Sequence, residues 1–178
     1  MRDESLETRL KSVIRNIPDF PQSGIQFKDI TPILLDPILF EESIEAFAQF
    51  AKARNAHKII GVDARGFLFA APVANRLGVG LVVVRKEGKL PYDTHRESYA
   101  LEYGTNTLEL HTDAIADGEN VVVIDDLLAT GGTTEAAIGL VKAAGGKICG
   151  LGFVIELEFL NGRDKLDGFE YLSLAVYE

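Results

Sequence analysis

The chain has 178 residues, 47% of them hydrophobic and 25% charged, with a formal net charge of -9 at pH 7. This length and composition predict one globular domain over 1–178 with a sizeable core, and they exclude an intrinsically disordered chain. The acidic balance argues against nucleic-acid or membrane partners, which need a basic face, and the charged N-terminus without a span-length apolar run predicts a cytoplasmic protein.

The first third of the sequence predicts two helices with an irregular loop between them. Apolar residues recur at helical spacing in the first segment, so we predict a helix from about 6 to 17. Residues 17–37 contain four prolines and one glycine, a composition typical of a loop. A second helix is predicted from about 37 to 53.

Strands and helices then alternate. The stretch "HKIIGV" at 57–62 predicts a strand, and the apolar helix after it should end near Gly78. A second buried strand, "GLVVV", is predicted at 80–84. Residues 86–105 are polar and lack a sustained period, so we predict a long flexible loop, which in an enzyme often serves as a lid.

The C-terminal half continues the alternation. Strands are predicted at 107–115 and 121–124, followed by a helix from about 133 to 144. The last strands are predicted at 147–156 and 171–177. The whole pattern predicts an α/β fold with a mostly parallel twisted sheet flanked by helices.

The stretch "VVVIDDLLATGGTT" carries the strongest chemical signal in the sequence. Asp125 and Asp126 follow the predicted strand, at the edge where ligands gather in open α/β sheets. Gly131 and Gly132 let backbone N–H groups turn toward an anion, and the next helix presents the positive end of its dipole. We expect a phosphate cradle in which a Cβ at either glycine would block the approach to phosphate. Three threonines add hydroxyl donors: Thr130, Thr133 and Thr134.

Two common nucleotide motifs do not occur in this sequence. It contains neither the G-x-x-x-x-G-K-[ST] loop nor the G-x-G-x-x-G fingerprint. A phosphate cradle close behind two carboxylates suits a sugar phosphate, because carboxylates accept hydrogen bonds from vicinal hydroxyls. The residues alone leave open that the two acids only cap a turn and that the glycines only permit it.

The stretch "VVVIDDLLATGGTTEAA" at 121–137 resembles the signature of type I phosphoribosyltransferases, which bind 5-phosphoribosyl 1-diphosphate (PRPP). Three further stretches resemble the adenine phosphoribosyltransferase family: "PDFPQSGIQFKDITPIL" at 18–34, "SYALEYG" at 98–104 and "ELEFLNGRDKL" at 156–166. The resemblance implies that a homodimer converts adenine and PRPP to AMP and pyrophosphate with Mg²⁺, in purine salvage. It also implies a small base-binding hood to which residues 1–35 contribute.

Position by position, the resemblance implies roles for individual residues. Asp125 and Asp126 match the ribose-binding acidic pair. The family's phosphate loop falls on Ala129, Thr130, Gly131, Gly132 and Thr133. Arg65 matches the arginine that approaches the pyrophosphate side of PRPP. The basic cluster that meets pyrophosphate in the family, sometimes across the dimer interface, matches Arg85, Lys86 and Lys89. The Mg²⁺ would be held mainly by substrate oxygens and water, with no dedicated protein ligands.

The resemblance also covers the base. Phe27 and Leu157 match the apolar pair that sandwiches adenine, while main-chain groups at Gln26 and Lys28 would read the purine edge. Those two positions and Ala64 depart from several relatives, which would affect base specificity only if side chains made the contacts. In the family, the peptide bond before Ala64 can be cis. Glu102 matches the general base that takes the purine proton, and Tyr103 beside it is assigned to the adenine site.

Two alternative functions remain open. One is transfer to another base, such as hypoxanthine, guanine or xanthine, although the regions around Phe27 and Glu102 argue against it. The other is a noncatalytic PRPP-sensing or nucleotide-sensing module on the same fold. That function predicts a basic face or an added nucleic-acid-binding segment, which the acidic composition does not favour.

Overall fold

The computed structural model describes residues 4–100, 105–166 and 168–178. Its strands are β1 (Arg15–Pro18), β2 (Gln26–Asp29), β3 (Lys58–Val62), β4 (Gly80–Lys86), β5 (Thr94–Ala100), β6 (Thr105–His111), β7 (Asn120–Leu128), β8 (Lys147–Leu157) and β9 (Tyr171–Tyr177). Its α-helices are α1 (Leu6–Val13), α2 (Thr31–Leu35), α3 (Pro37–Ala53), α4 (Gly66–Leu77) and α5 (Gly132–Ala143). Two 3-10 helices, Glu158–Leu160 and Gly162–Leu166, lie between β8 and β9. No helix within the described ranges is long and apolar enough to cross a membrane.

Seven strands form the central sheet in the order β5-β6-β4-β3-β7-β8-β9. The pairs from β4 through β9 are parallel, whereas β6 pairs antiparallel with both β4 and β5. The predicted α/β class with a mostly parallel sheet is therefore confirmed. A separate antiparallel pair is formed by β1 and β2.

The core lies on both faces of the central sheet. Ile59 of β3 packs into a cluster with residues of α1 to α4. Its neighbour Ile60 packs into a second cluster with residues of α5. Successive side chains of a strand point to opposite faces, so a run of apolar residues fills both clusters at once. The three layers position the strand ends at which the cleft described below opens.

Two predictions about the N-terminal third are wrong. The first helix ends at Val13, not near residue 17, because the chain turns to an extended conformation at Ile14. Residues 15–18 then pair with 26–29, so part of the predicted loop is a strand. These strands have only four residues each, and prolines interrupt the segment, so no periodic pattern marks them.

The predicted loop at 86–105 is also wrong in part. Thr94–Ala100 forms β5, which pairs along its whole length with β6. This strand is rich in polar residues and lies at the edge of the sheet, where alternation with apolar residues is not required. A lid function for the segment stays a prediction.

The acidic pair lies within a strand and does not follow it. β7 runs to Leu128, and Asp125 and Leu128 pair with Phe153 and Glu156 of β8. The strand therefore carries both carboxylates near its end, and only residues 129–131 separate it from α5. The turn from β7 to α5 is consequently short.

Candidate active site

A cleft of about 380 Å³ opens at the carboxyl ends of β3 and β7. The chain leaves β3 toward β4 on one side and leaves β7 toward β8 on the other, so this is the topological switch point at which α/β sheets bind ligands. Ten predicted site residues line it: Arg65, Lys86, Asp125, Asp126, Ala129, Thr130, Gly131, Gly132, Thr133 and Thr134. Five lining residues were not predicted to be in the site: Asp63, Ala64, Tyr99, Asn106 and Leu127.

The acidic pair is almost completely buried. Asp125 and Asp126 are each 7% exposed. Burial raises the pKa of the Asp125 carboxyl well above its usual range, and the charge of Asp126 adds to the rise. Burial also raises the pKa of Asp126, while the guanidinium of Arg65 opposes that rise. Two adjacent acids in such an environment carry a strong negative field into the cleft when both are ionised.

Arg65 connects the acidic pair with the base-side residue Phe27. Its Nη2 lies 2.7 Å from Oδ2 of Asp126, and its guanidinium carbon lies 5.0 Å from the centroid of the Phe27 ring. The peptide bond between Asp63 and Ala64, directly before Arg65, is cis.

The start of α4 packs tightly against β7. A Cβ on Gly66 would lie 2.8 Å from the carbonyl oxygen of Ile124 and 3.1 Å from Oδ1 of Asp125. Only glycine allows this approach. The same Oδ1 atom accepts the backbone N–H of Asp126 at 2.8 Å. These contacts hold the Asp125 carboxylate in one orientation.

The cradle between β7 and α5 has the predicted glycine turn, but for a partly different reason. Gly131 has φ of 77°, the left-handed region that glycine tolerates, and α5 begins at Gly132. A Cβ on Gly131 would lie 2.6 Å from the carbonyl oxygen of Gly162. For Gly131, the expectation that a Cβ would intrude on phosphate is therefore wrong, because the Cβ would collide with the protein behind the cradle.

The structure separates the predicted basic cluster. Lys86 lines the cleft, whereas Arg85 and Lys89 do not. Nε of Arg85 lies 3.3 Å from Oδ2 of Asp63, and its Nη1 donates to the carbonyl of Lys89 at 3.1 Å. Arg85 thus holds the turn that carries Lys86 and Lys89, while the side chain of Lys89 is exposed.

The predicted base side is built around β2. Alternate side chains leave opposite faces of a strand, and Phe27 meets Arg65 while its neighbours contact other groups. The amide of Asn16 donates to Oε1 of Gln26 at 2.6 Å, and Nζ of Lys28 lies 4.2 Å from the centroid of the Tyr177 ring.

Leu157 ends β8 and is 8% exposed. It packs in the core cluster formed with α1 to α4. Its predicted contact with adenine stays a prediction.

The hairpin of β5 and β6 forms a wall of the cleft through Tyr99 and Asn106, which pair across the two strands. Sequence reasoning missed both, although Tyr99 belongs to the stretch "SYALEYG" on which the resemblance rests. The predicted residues Glu102 and Tyr103 lie outside the described residues. They belong to the connection between these two paired strands.

No group of three or more His, Cys, Asp or Glu side chains that could hold a metal ion occurs among the residues described. The carboxylates of the cleft are Asp63, Asp125 and Asp126. Asp63 and Asp126 already pair with arginines.

Comparison with known proteins gives concordant results. The family described as "Phosphoribosyl transferase domain" matches residues 30–165. An adenine phosphoribosyltransferase of Roseiflexus sp. (strain RS-1) is 51% identical over 172 residues, which are 97% of this chain and 100% of that protein. The crystal structure of adenine phosphoribosyltransferase from Thermoanaerobacter pseudethanolicus has a TM-score of 0.93 at 52% identity, covering 97% of this chain and 100% of that one. The Saccharomyces cerevisiae adenine phosphoribosyltransferase, in complex with an imino-altritol bisphosphate and adenine, has a TM-score of 0.90 at 40% identity, covering 95% and 98%.

Proposed function

The chain belongs to the adenine phosphoribosyltransferase family, and we propose that its cleft transfers the 5-phosphoribosyl group of PRPP to adenine, releasing pyrophosphate and forming AMP for purine salvage. The observation that carries this proposal is the arrangement of a glycine-turn cradle directly beside two buried carboxylates at the switch point of the sheet. A sugar phosphate can occupy both subsites at once, with its phosphate in the cradle and its sugar beside the carboxylates.

The cradle would bind the 5′-phosphate. Its donors are the backbone N–H groups of residues 130–133, the threonine hydroxyls and the N-terminus of α5, which together suit a monophosphate. Asp125 and Asp126 would accept hydrogen bonds from the ribose hydroxyls. Because the carboxylates are fixed and buried, they would orient the sugar with little reorganisation during the reaction.

The same carboxylates would stabilise the transition state. Displacement of pyrophosphate from the anomeric carbon develops positive charge on the sugar, and buried anions nearby interact strongly with it. Lys86 lines the cleft and Arg65 reaches it, so these cations are placed to offset the negative charge on the departing pyrophosphate. Mg²⁺ would enter with PRPP, held mainly by substrate oxygens and water, and would offset further charge on the leaving group.

The purine would lie against Phe27 and be read by the main chain of β2. The side chains of Gln26 and Lys28 contact Asn16 and Tyr177, which supports a main-chain reading and makes their departure from relatives unimportant for specificity. Among the described residues, β2 pairs with no strand except β1, so the N–H and C=O groups of its other edge can face a ligand. Adenine needs an acceptor for its exocyclic amine where a 6-oxopurine needs a donor, and a backbone edge can enforce that difference.

Glu102 would accept the proton that the purine loses, and Tyr103 would contribute to the adenine site. Both residues lie between β5 and β6, whose Tyr99 and Asn106 already line the cleft. Closure of the predicted lid at 86–105 would bring the base and the acceptor together and exclude water.

A cytoplasmic homodimer is the assembly that the family resemblance favours. Leu35 and Ile38, which flank the junction of α2 and α3, are 80% and 64% exposed, and Leu68 in the first turn of α4 is 43% exposed. Exposed aliphatic side chains of this size are typical of surfaces that become buried between subunits.

The test is turnover of the purified protein with PRPP and each of adenine, hypoxanthine, guanine and xanthine. AMP formation with a kcat/KM for adenine at least ~10²-fold above the other bases supports the proposal, since a site built for an amine edge discriminates strongly against an oxo edge. A preference for an oxopurine would assign the other-base alternative. Binding of PRPP with no turnover of any base would assign the sensing module.

A further inference from the structure

The 3-10 helix Gly162–Leu166 touches the back of the phosphate cradle without an intervening side chain. A Cβ on Gly162 would lie 2.1 Å from the carbonyl oxygen of Ala129 and 3.0 Å from the nitrogen of Gly131. The contact is reciprocal, because a Cβ on Gly131 would lie 2.6 Å from the carbonyl oxygen of Gly162. The backbone of 129–131 is thus enclosed between the cleft in front and residue 162 behind.

This contact controls the direction of a cradle donor. The peptide unit is planar, and in its trans form the C=O and the following N–H point in opposite directions. The carbonyl of Ala129 approaches Gly162, so the N–H of Thr130 is directed away from residue 162. Both Ala129 and Thr130 line the cleft. Any displacement of that carbonyl would turn the Thr130 N–H away from its position in the cradle.

An ion pair between Arg163 and the buried carboxylate of Glu156 holds the 3-10 helix in this place. Glu156 is 1% exposed and lies on β8, in register with Leu128, the residue before Ala129. Nε and Nη2 of Arg163 lie 2.8 Å and 2.7 Å from its Oε1. Nη1 of Arg163 also contacts Oε1 of Glu158 at 2.7 Å.

The contacts form a closed circuit. It runs from the end of β7 to Glu156 of β8, through Arg163 to Gly162, and back to the cradle. The proposed reaction gives no role to Glu156, Arg163 or Gly162.

We propose, on the basis of the function proposed above, that Gly162 and Arg163 are positioning residues for the 5′-phosphate. Neither residue would touch substrate. Gly162 supports the Ala129–Thr130 peptide from behind, and Arg163, bound to Glu156, sets the position of Gly162. Preorganised donors bind an anion more tightly than donors that must reorient on binding, so loss of this support weakens the phosphate side selectively.

The experiment compares ligands that do and do not use the cradle. Steady-state KM values for PRPP and for adenine, and the Kd for AMP by calorimetry, are measured for the wild type and Gly162→Ala. The variant should raise the KM for PRPP and the Kd for AMP by about tenfold or more, the effect of weakening one or two charge-assisted hydrogen bonds. The KM for adenine should change by less than about twofold, because adenine carries no phosphate.

Gly80→Ala is the matched control. Gly80 begins β4, and the atoms nearest to a Cβ there would be those of the flexible Lys58 side chain, the first at 3.3 Å. This variant should match the wild type in all three constants. A role of Gly162 in stability alone would lower the melting temperature and leave every constant of the folded protein unchanged, which would overturn the proposal. Equal rises in the KM values for PRPP and adenine would also overturn it.

Arg163 provides a second measurement should Gly162→Ala fail to fold. Arg163→Lys keeps the charge on Glu156 but contacts it through one nitrogen, whereas Arg163→Gln removes the charge. The KM for PRPP should rise more in Arg163→Gln than in Arg163→Lys, and the KM for adenine should not change in either variant. An unchanged KM for PRPP in a folded Gln variant would contradict the proposal. If the wild type itself neither forms nor binds AMP, the proposed function is what has failed, and the two failures are thereby distinguished.

Discussion

One wall of the cleft consists of the end of β7, with its two buried carboxylates, and the turn from β7 to α5. Gly66 packs against the strand and Gly162 packs against the turn. The second wall consists of the exposed Lys86 at the end of β4 and the half-buried Tyr99 and Asn106 of the β5–β6 hairpin. The first wall is fixed by packing, and the second depends on side chains that solvent and salt can reach. We infer that the first wall binds the 5-phosphoribosyl group, which is retained in AMP. The second wall would contact the pyrophosphate that leaves and the purine that enters.

The largest expected effect is a loss of kcat on substitution of Glu102, which lies between β5 and β6 in the sequence. Glu102→Gln keeps a hydrogen bond but cannot accept the purine proton, and a positioned proton acceptor typically contributes ~10² to 10⁴ in rate. We expect that loss in kcat, with a smaller loss for Glu102→Asp and near-normal affinity for PRPP. Single-turnover measurements separate chemistry from product release. A wild-type single-turnover rate in the Gln variant would reject Glu102 as the acceptor.

The next largest expected effect on kcat comes from the two carboxylates of the first wall. Asp125→Asn combined with Asp126→Asn keeps the size of both side chains but removes the negative field, so kcat should fall by ~10² or more. Inorganic phosphate, which lacks the ribose, should retain most of its affinity, because the cradle is unchanged. Turnover close to that of the wild type in the folded double variant would show that the acids are structural.

Salt dependence sharpens the contrast between the walls. Lys86→Ala should raise the Kd for PRPP by less than about tenfold at low ionic strength, and the difference should shrink as salt is added, since an exposed charge is screened. Lys89→Ala should have a smaller effect, because Lys89 does not line the cleft. The control is Lys147→Ala, at the start of β8, because β8 runs parallel to β7 and its start lies at the end of the strands away from the cleft. Equal effects of the three changes would remove the distinction between the walls.

The smallest expected effect is on stability. The folded-state pKa of Asp125 is raised by burial, so the native state binds this proton more tightly than the unfolded chain does. The free energy of unfolding therefore falls as pH rises from the ordinary aspartate value, about 4, up to the raised pKa.

Asp125→Asn removes this cost and should stabilise the ligand-free protein at neutral pH by ~1 kcal/mol or more, with the gain disappearing at acidic pH. Asp126→Asn should gain less, because Arg65 loses its partner. Denaturant titrations at several pH values measure both variants. A destabilised Asp125→Asn variant at neutral pH would show that the ionised carboxylate contributes favourably to folding.

The two walls also differ in how far the sequence predicts them. The buried run 121–124, the acidic pair and the glycine turn are local features, and each was located within a few residues of its place in the structure. Even there, the strand boundary was missed, because β7 continues through Leu128 by pairing with β8. The collision of Gly131 with Gly162 was also missed, since it joins residues 31 positions apart and no local pattern reports it.

The β5–β6 wall was predicted less well for a related reason. Thr94–Ala100 is a strand because β6 pairs with it, and its own composition is that of a polar loop. Tyr99 and Asn106 line the cleft only through that register. The sequence also did not predict β1 and β2, because these short strands are defined by their pairing with each other. The assignment of 1–178 to one domain, the homodimer and the cytoplasmic location remain predictions.

A crystal structure of the protein with AMP tests the central claim most directly. The account predicts the phosphate on the backbone N–H groups of 130–133, the ribose hydroxyls on Asp125 and Asp126, and the purine against Phe27 with its edge on the main chain of β2. A phosphate bound by Lys86 and Lys89, with the cradle of 130–133 making no contact to AMP, would contradict it.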